Sequence, residues 1–554
     1  NKEMALHKHI KEKLFDLYIF YKIRKKNENT LIMKNGDFIV ATGTFIFKNL
    51  IGIPALEKAY HSFSISKEFF DDLSGCYGLL VYKDKRLCIL NDELGLYHIF
   101  STKQMAIIST SFISIVRSLS HVSLDEHVFY EYLFHESTLD EHSLIKGIQL
   151  IHNRKIIEFT DNIIVIQRPL HSADNHKWQS YKDNLEATAQ ILIRYFQNLK
   201  DSFGNNICSA LSGGFDSRLL LAVMRKVGIK PHLYIYGPDQ SLNVKISLNI
   251  GRGEGLEIEH INRDKIASVK PEDYPYLIQK QFYLYDGQGI HGIFNNGMDL
   301  ITREQRVKQD RLQLNGAGGE VLRNFYGIPD CKMRIRNFAR IGLRIPKYLH
   351  FLKKFDRQKY YSVVETKIRS IYNRPFDKLT FTELESLFPF FRLKTRIGVE
   401  NTISNQFGYT VTPFIEPPYA YNSFIIPHKY KNLGMFESAL IKYFDQNLSK
   451  YTSTHGYDFY NGPGISAKIR YLVGINAPIF MRYLMKDVRD IKNKKNINNN
   501  YNRNFPYYLT EEYMQTIFNI NKLKVLEYVD IEKVYNPEMF ARILSVELLI
   551  SDIF

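Results

Sequence analysis

The chain has 554 residues, which is too many for one compact core, so we expect two or three domains. Its 45% hydrophobic and 24% charged content is typical of a globular protein, and no apolar run is long enough to span a membrane. The net charge of +16 suits either a phosphate-bearing partner or a solvated surface. Four scattered cysteines with no CxxC pair argue against a zinc or redox site and predict a cytoplasmic protein.

The first 170 residues consist mainly of short, apolar, β-prone segments. Strands are predicted at 30–33, 38–40, 78–82 and 87–90. The sequence KDKR at 83–86 predicts a hairpin turn between the last two of these strands. The chain then becomes polar at 171–182, which is the predicted linker. We therefore expect one domain at 1–172 and a second at 183–554, with a flexible basic loop near 486–504.

After the linker the pattern alternates between helices and strands. A helix is predicted at 184–199. Strands are predicted at 207–211, 232–236 and 256–261, and the helices between them at 218–227 and 244–250. Strand-helix-strand repetition with short links predicts a parallel sheet. Beyond about residue 265 we expect a mostly helical region.

Residues 212–217, with the sequence SGGFDS, lie between a predicted buried strand and a predicted helix. Glycines allow the backbone to approach a ligand, and the N–H groups at a helix start favour an anion. A phosphate would repel Asp216 unless a cation such as Mg²⁺ bridges the two. A Walker A loop is excluded because no lysine ends the segment. The segment predicts a nucleotide phosphate site, and the alternative is a glycine turn that binds nothing.

This loop resembles the pyrophosphate-binding loop of the asparagine synthetase family. Residues 314–320 (LNGAGGE) resemble the family's second glycine motif, 412–416 (TPFIE) its PFLD segment, and 436–444 the helix that follows. In the N-terminal half, the family's glutaminase domain is resembled by 73–78 (LSGCYG), 91–97 (NDELGLY) and 144–148 (LIKGI). The GGE string is closer to lasso-peptide cyclases and polysaccharide-associated members than to housekeeping asparagine synthetase.

The resemblance implies an α/β fold with two parts. The first is an N-terminal αββα glutaminase-like domain of the Ntn type. The second is a PP-loop synthetase domain with a parallel sheet and a helical C-terminal part. The implied activity is an AMP-forming ligase that uses ATP and Mg²⁺: a substrate carboxylate is adenylated, pyrophosphate leaves, and an amine attacks to give an amide.

The resemblance also implies site residues, carried over by position. The nucleotide-binding residues are expected to be Leu211, Ser212, Gly213, Gly214, Asp216, Ser217, Tyr236 and Gly316. Asp216 and Glu320 are the expected Mg²⁺ ligands. Glu320 and Lys431 are the predicted catalytic residues, with Lys429 and Lys442 as competitors for the lysine role.

Two departures from the family change the expected role. Glutamine-hydrolysing members begin with a catalytic cysteine, whereas this sequence begins with Asn1 and has its first cysteine, Cys76, on a predicted inner strand. We therefore expect a scaffold domain without glutaminase activity. The family often carries Glu or Tyr at the position of Ala317, and an alanine cannot accept a proton. Either another residue or the substrate then supplies the base, or the amine arrives already neutral.

The expected partners are a carboxylate substrate and an amine donor, which can be a small molecule, a sugar or a peptide, with a separate ammonia source or carrier as an option. Two specific roles stay open: amidation of a uronic acid in surface-polysaccharide synthesis and macrocyclisation of a peptide. A PP-loop tRNA-modifying enzyme and a nucleotide-binding pseudoenzyme are the alternatives of another class, although nucleic acid is not the expected partner. The oligomeric state stays open. His291 and His455 lie near glycines and could be functional, but they are expected to be satisfied or surface histidines.

Overall fold

The computed structural model describes residues 5–22, 29–171, 178–265, 268–346, 349–372, 377–478, 481–482, 505–551 and 553–554. The predicted basic loop near 486–504 and part of the predicted linker lie outside these residues. The described chain is mixed α/β, with parallel and antiparallel sheets. Among the helices in these ranges, none is both long enough and apolar enough to cross a bilayer.

The described strands are numbered β1 to β18 in chain order. They are Leu6–Lys11, Asp16–Phe20, Thr30–Ile32, Phe38–Phe47, Leu73–Lys83, Arg86–Asn91, Phe100–Thr102, Ile108–Ser109, Ile148–Leu150, Lys155–Phe159, Ile163–Gln167, Ile207–Ala210, His232–Tyr236, Ile258–Ile261, Leu312–Leu314, Met333–Arg334, Lys378–Leu379 and Tyr409–Val411.

The described α-helices are numbered α1 to α20 in the same way. They are Gly52–Ser62, Lys67–Asp71, Phe112–Ser118, Glu126–His135, Tyr181–Phe203, Phe215–Lys226, Leu242–Glu254, Tyr274–Leu284, Met298–Arg306, Ile335–Gly342, Arg357–Tyr372, Phe381–Leu387, Lys394–Phe407, Pro417–Ser423, His428–Lys431, Met435–Phe444, Gln446–Ser449, Ile465–Asn476, Glu511–Met514 and Pro537–Ile550. A π-helix at Phe388–Leu393 joins α12 to α13.

The N-terminal half contains a six-stranded antiparallel sheet in the order β11-β10-β6-β5-β4-β3. The four predicted strands lie in β3 to β6, and the predicted hairpin is confirmed because Lys83 pairs with Arg86. Nearly every side chain of β4, β5 and β6 is buried or half-buried, because successive residues point to opposite faces and both faces of the sheet are covered. Helices α1 and α2 pack on one face against Ile39 and Leu79, while Val40 and Ile89 join the main core. A three-stranded sheet, β8-β7-β9, follows in the chain.

The second half is organised around a five-stranded sheet in the order β14-β13-β12-β15-β18, with every pair parallel. The prediction of a parallel sheet is therefore confirmed. The sequence predicted β12, β13 and β14, whereas β15 and β18 have three residues each and give no periodic signal. Because all strands point the same way, the loops after β12, β13, β15 and β18 meet at one edge, where ligands bind in open α/β sheets.

The prediction that a helix begins at residue 218 was wrong. Helix α6 begins at Phe215, after Gly214, whose backbone is extended (φ −89°, ψ −177°). Phe215 is buried, stacks on Phe459 with ring centroids 4.2 Å apart, and is therefore a core residue rather than a loop residue. Consequently Asp216 and Ser217 lie in the first turn of α6. Helix α7 is also longer than predicted, because Gly251 allows it to pack closely on Ile258.

Buried polar contacts join the two sheets. Thr44 Oγ1 on β4 donates to Asn405 Oδ1 at 2.7 Å and accepts from the Thr410 amide at 2.8 Å. Nearby, a carboxylate oxygen of Glu416 accepts from the Gly75 amide at 3.1 Å and from Tyr195 Oη at 3.0 Å. Burial raises the pKa of Glu416 to about 8, and the neighbouring carboxylates add to the shift. This carboxyl group therefore holds a proton near neutral pH.

We expect the free energy of unfolding to fall as the pH rises from about 4.5 to about 8, because the folded protein keeps the Glu416 proton that the unfolded chain releases. One such proton changes stability by at most about 1.4 kcal/mol per pH unit. Replacing Glu416 with Gln should flatten this slope. Urea unfolding of both proteins at several pH values measures it, and an unchanged slope in the variant would contradict the assignment.

Candidate functional site

The loop between β12 and α6 is held by side chains that the sequence had not marked. The Gly213 amide donates to Asn243 Oδ1 on α7 at 3.1 Å, and its carbonyl accepts from the Thr454 amide at 3.0 Å. A Cβ atom on Gly213 would lie 2.7 Å from Thr454 Cγ2, so only glycine fits there. The backbone of Gly213 is therefore fixed by Asn243 on one side and by Thr454 on the other.

The serines of the same loop bond to each other. Ser217 Oγ lies 2.9 Å from Ser212 Oγ and accepts the Ser212 amide at 2.9 Å, and the Gly214 amide donates to Ser212 Oγ at 3.3 Å. The first N–H groups of α6 have no partner within the helix. The amides of the loop itself are already bonded, so the donors open to an anion are the N–H groups at the start of α6 and the two serine hydroxyl groups, which can exchange their mutual bond for a phosphate.

The second glycine motif follows β15, the strand beside β12. Gly318 has φ +94° and a short 3-10 helix begins at Gly319. Glu320 folds back to accept from the Gly318 amide at 3.0 Å. A Cβ atom on Gly319 would overlap Asp216 Oδ1 and lie 3.0 Å from Glu437 Oε1. The glycine is required so that carboxylates from α6 and α16 can approach this turn.

Replacing Gly319 with Ala should displace the Asp216 carboxylate. We expect Mg²⁺-dependent nucleotide binding to weaken at least about tenfold, because a shift of about 1 Å in a positioned group has a large effect on the free energy of the interactions it makes. The φ of Gly319 lies outside the left-handed region, so the effect is steric rather than conformational. Titration calorimetry with ATP and Mg²⁺ measures it. Gly474→Ala is the matched control, because no atom lies within 4 Å of its added Cβ. Equal affinity in both variants would contradict this geometry.

Three carboxylates surround one arginine at this edge of the sheet. Arg323 Nη2 lies 3.0 and 3.2 Å from the two oxygens of Asp216 and 3.4 Å from Glu320 Oε1. Its Nε lies 3.5 Å from Glu437 Oε2. Glu437 is fully buried, and its carboxyl group faces that of Asp216, with which it can share a proton. We call Asp216, Glu320, Glu437 and Arg323 the acidic cluster.

The acidic cluster carries more negative charge than Arg323 can balance. Burial raises the pKa of Asp216 to about 6, opposed by Arg323 and reinforced by Glu320. Burial also raises the pKa of Glu437 well above its ordinary value, and the nearby Asp216 adds to the shift. Buried like charges of this kind accommodate a cation. Oxygen donors are the ligands that Mg²⁺ prefers, and Asp216 and Glu320, which both pair with Arg323, stay the candidate ligands; among the described residues the three carboxylates do not converge closely enough to hold an ion together as they stand.

The three residues expected near adenosine lie on adjacent strand ends. Leu211 is buried, and its amide donates to the Tyr234 carbonyl at 2.9 Å. Tyr236 ends β13; its hydroxyl is buried without a hydrogen-bond partner among the described residues, and the Arg263 guanidinium lies 4.1 Å from its ring centroid. Gly316 follows β15, and a Cβ atom there would lie 3.9 Å from Asp216 Cβ. The structure thus places all three along the edge that carries the loop.

Lys431, the predicted catalytic lysine, lies outside the acidic cluster. Its side chain is fully buried, and Nζ forms an ion pair with Glu385 Oε2 at 2.8 Å. The Lys431 carbonyl accepts from the amide of Asn324 at 3.1 Å. Because Asn324 follows Arg323 in the chain, the backbone of Lys431 lies close to the acidic cluster although its side chain points elsewhere. Burial raises the pKa of Glu385 to about 7, although Lys431 opposes the shift. The pair is therefore a buried group that can hold or release a proton near neutral pH.

Sequence reasoning missed four further groups at this site. Arg323 follows a short 3-10 helix, Glu437 lies on α16 and Glu385 lies on α12, and each is recognisable only once its buried charge is known. His455, expected to be a satisfied or surface histidine, packs its ring 4.8 Å from that of Phe215 at the loop. Burial and the nearby arginines lower its pKa. Buried charges and ring contacts of this kind can be recognised only once the fold is known.

Cys76 gives no support to glutamine hydrolysis. The thiol lies on β5, is buried, and has a pKa raised well above its ordinary value by burial, so it is not a nucleophile. Comparison with known proteins adds no assignment: no protein-family profile matches the chain, and no curated protein matches it. A proposal for the function must therefore rest on the geometry of the acidic cluster and the two glycine turns.

Proposed function

We propose that this protein is an ATP-dependent, AMP-forming ligase that adenylates a substrate carboxylate and transfers the acyl group to an amine or ammonia. One observation carries the proposal. The SGGFDS loop and the GGE turn follow neighbouring parallel strands, and they bring Asp216 and Glu320 together around Arg323, beside the buried Glu437. The resemblance of these motifs to the asparagine synthetase family supports the same chemistry, with an αββα scaffold domain ahead of a PP-loop domain.

The chemistry requires groups of this kind. A carboxylate is a poor electrophile until one of its oxygens becomes part of a good leaving group, and negative charge then develops on the departing pyrophosphate. The Ser212 and Ser217 hydroxyls and the N–H groups at the start of α6 would bind that charge. The Arg323 guanidinium, which now bonds Asp216, could exchange that hydrogen bond for one to a phosphate oxygen. Asp216 and Glu320 would hold Mg²⁺, which would supply Lewis-acid stabilisation of the phosphates when bound.

The amine must lose a proton when it attacks, and Ala317 cannot accept it. Glu385 is our candidate for that role, because its raised pKa of about 7 lets it take up a proton near neutral pH. Lys431 would then hold Glu385 in position and set its charge, through the 2.8 Å ion pair. In this arrangement Lys431 is a positioning residue, because its buried side chain contacts Glu385 and not the reacting atoms.

A substrate screen tests the proposal. The purified chain is incubated with ATP, Mg²⁺, pooled carboxylates and pooled amines, including uronic acids, amino acids and peptides, and nucleotide products are separated by mass. We expect AMP and pyrophosphate to form only when a carboxylate is present. Formation of ADP instead, or carboxylate-independent ATP cleavage, would contradict adenylation. ATP binding with no turnover in any pool would favour a nucleotide-binding pseudoenzyme.

A further inference from the structure

Helix α18 presents an apolar stripe to solvent. Ile465, Ile469, Leu472 and Val473 are exposed by 77, 58, 47 and 66%. Their spacing of four, seven and eight residues from the first places all four on one face of the helix. Four large aliphatic side chains left in water on one helix face are unusual for a protein surface and mark an interaction site.

One side of α18 is fixed to the protein near the C-terminal end of the helix. Ile475 is buried, and Tyr471 Oη donates to Asn432 Oδ1 at 3.1 Å. The helix is therefore seated by its own inner residues, and the outward stripe is not the face that holds it in the fold. Because Asn432 adjoins Lys431, the helix also lies beside the proposed active site.

The charges around the stripe have one sign. Lys468 and Arg470 are exposed and project about 85° and 115° from the centre of the stripe on opposite sides, at the helical rotation of about 100° per residue. No aspartate or glutamate occurs between residues 459 and 486. Just before the helix, Lys442 and Lys450 lie over the ring of the exposed Tyr460 at 3.7 and 5.6 Å.

We propose that α18 docks this protein on an anionic lipid membrane, with the apolar stripe in the interface and the cations at the headgroups. Apolar side chains bordered by lysine and arginine are the composition of helices that lie in the plane of a membrane. Tyrosine is also enriched at that depth. Pairing of two copies through this face is disfavoured, because it would bring the same cations together.

Membrane docking has a consequence for the substrate, which rests on the proposed function. The residues next to Lys431 would lie within about one helix diameter, roughly 10 Å, of the headgroups. A carboxylate carried on a lipid or presented at the membrane surface would then reach the site without leaving the membrane. The docking itself depends only on α18 and is measured without ATP.

Vesicle flotation of the full chain tests the docking. Vesicles contain phosphatidylcholine alone or equal parts of phosphatidylcholine and phosphatidylglycerol. We expect the protein to float only with the anionic vesicles and to dissociate at high salt. The double variant Lys468→Ser, Arg470→Ser should bind about 25-fold more weakly, at about fivefold per charge. Ile469→Ser with Val473→Ser should abolish binding. The control, Tyr276→Ser with Ile301→Ser, changes exposed apolar residues on other helices and should bind normally.

Thermal unfolding verifies that each variant is folded, which is expected because the substituted side chains are exposed. Failure of the unmodified chain to float with anionic vesicles would overturn the proposal. Undiminished flotation of the Ile469→Ser, Val473→Ser variant would do the same. Light scattering tests the alternative that a second copy of the chain covers the stripe. If the unmodified chain is a dimer and the Ile469→Ser, Val473→Ser variant is a monomer, the stripe is a contact between copies and not a membrane surface.

Discussion

Asp216→Asn is expected to lower carboxylate-stimulated pyrophosphate release by about 10²- to 10³-fold while leaving the fold intact. The loss follows because a neutral amide cannot hold Mg²⁺ against the phosphates. The fold should persist or become more stable, because the pKa of Asp216, raised to about 6, shows that burial disfavours its charge in the native protein. Initial rates of pyrophosphate release and thermal unfolding of the same sample measure both effects.

The control for this variant is Glu259→Gln. Glu259 lies on β14 of the same sheet, is exposed, and pairs only with His232 among the contacts of the described residues. Its substitution should leave both the rate and the unfolding temperature unchanged. If Asp216→Asn retains the full rate, the acidic cluster is not part of the reaction. If the variant is inactive and also unfolded, Asp216 has a structural role that its raised pKa does not explain.

Lys431→Met should lower the free energy of unfolding by about 3–5 kcal/mol, because it leaves Glu385 buried without its partner. Glu385 would then take up a proton, so the loss should be greater at pH 8.5 than at pH 5.5. Urea unfolding at the two pH values measures this change. A surface lysine has no comparable effect, and Lys429→Met, two residues earlier, is the matched control.

The double variant Lys431→Met, Glu385→Met separates structure from catalysis. Replacing a buried ion pair with apolar side chains of similar volume is often neutral or stabilising, so most of the lost stability should return. The rate of amide formation should stay low, because the proposed proton acceptor is absent. A double variant that is both stable and fully active would assign the pair to the fold alone.

Much of the fold was predictable because the sequence signals were local. The β5–β6 hairpin was marked by its KDKR turn, and β12, β13 and β14 by short apolar runs between helices. Strands β15 and β18 could not be predicted in this way, because three buried residues carry no period. Their position depends on long-range pairing with β12 and with each other. The αββα assignment of the N-terminal half stays a prediction.

The site was predictable only in part. Glycine and acidic residues at fixed spacing indicated Asp216 and Glu320, and the structure brings both to Arg323. Glu437 and Glu385 were not predictable, since a glutamate in a helix gives no signal until its burial is known. Lys431 was selected by its place after the TPFIE segment, but its pairing with Glu385 depends on how α15 packs beside α12.

Binding of ATP with and without Mg²⁺ tests the central claim most directly, because it needs no knowledge of the substrate. In titration calorimetry we expect the unmodified chain to bind ATP only when Mg²⁺ is present, and Asp216→Asn to lose that binding. Affinity for ATP that is the same without Mg²⁺, or unchanged in Asp216→Asn, would contradict a metal-bridged phosphate site at the acidic cluster.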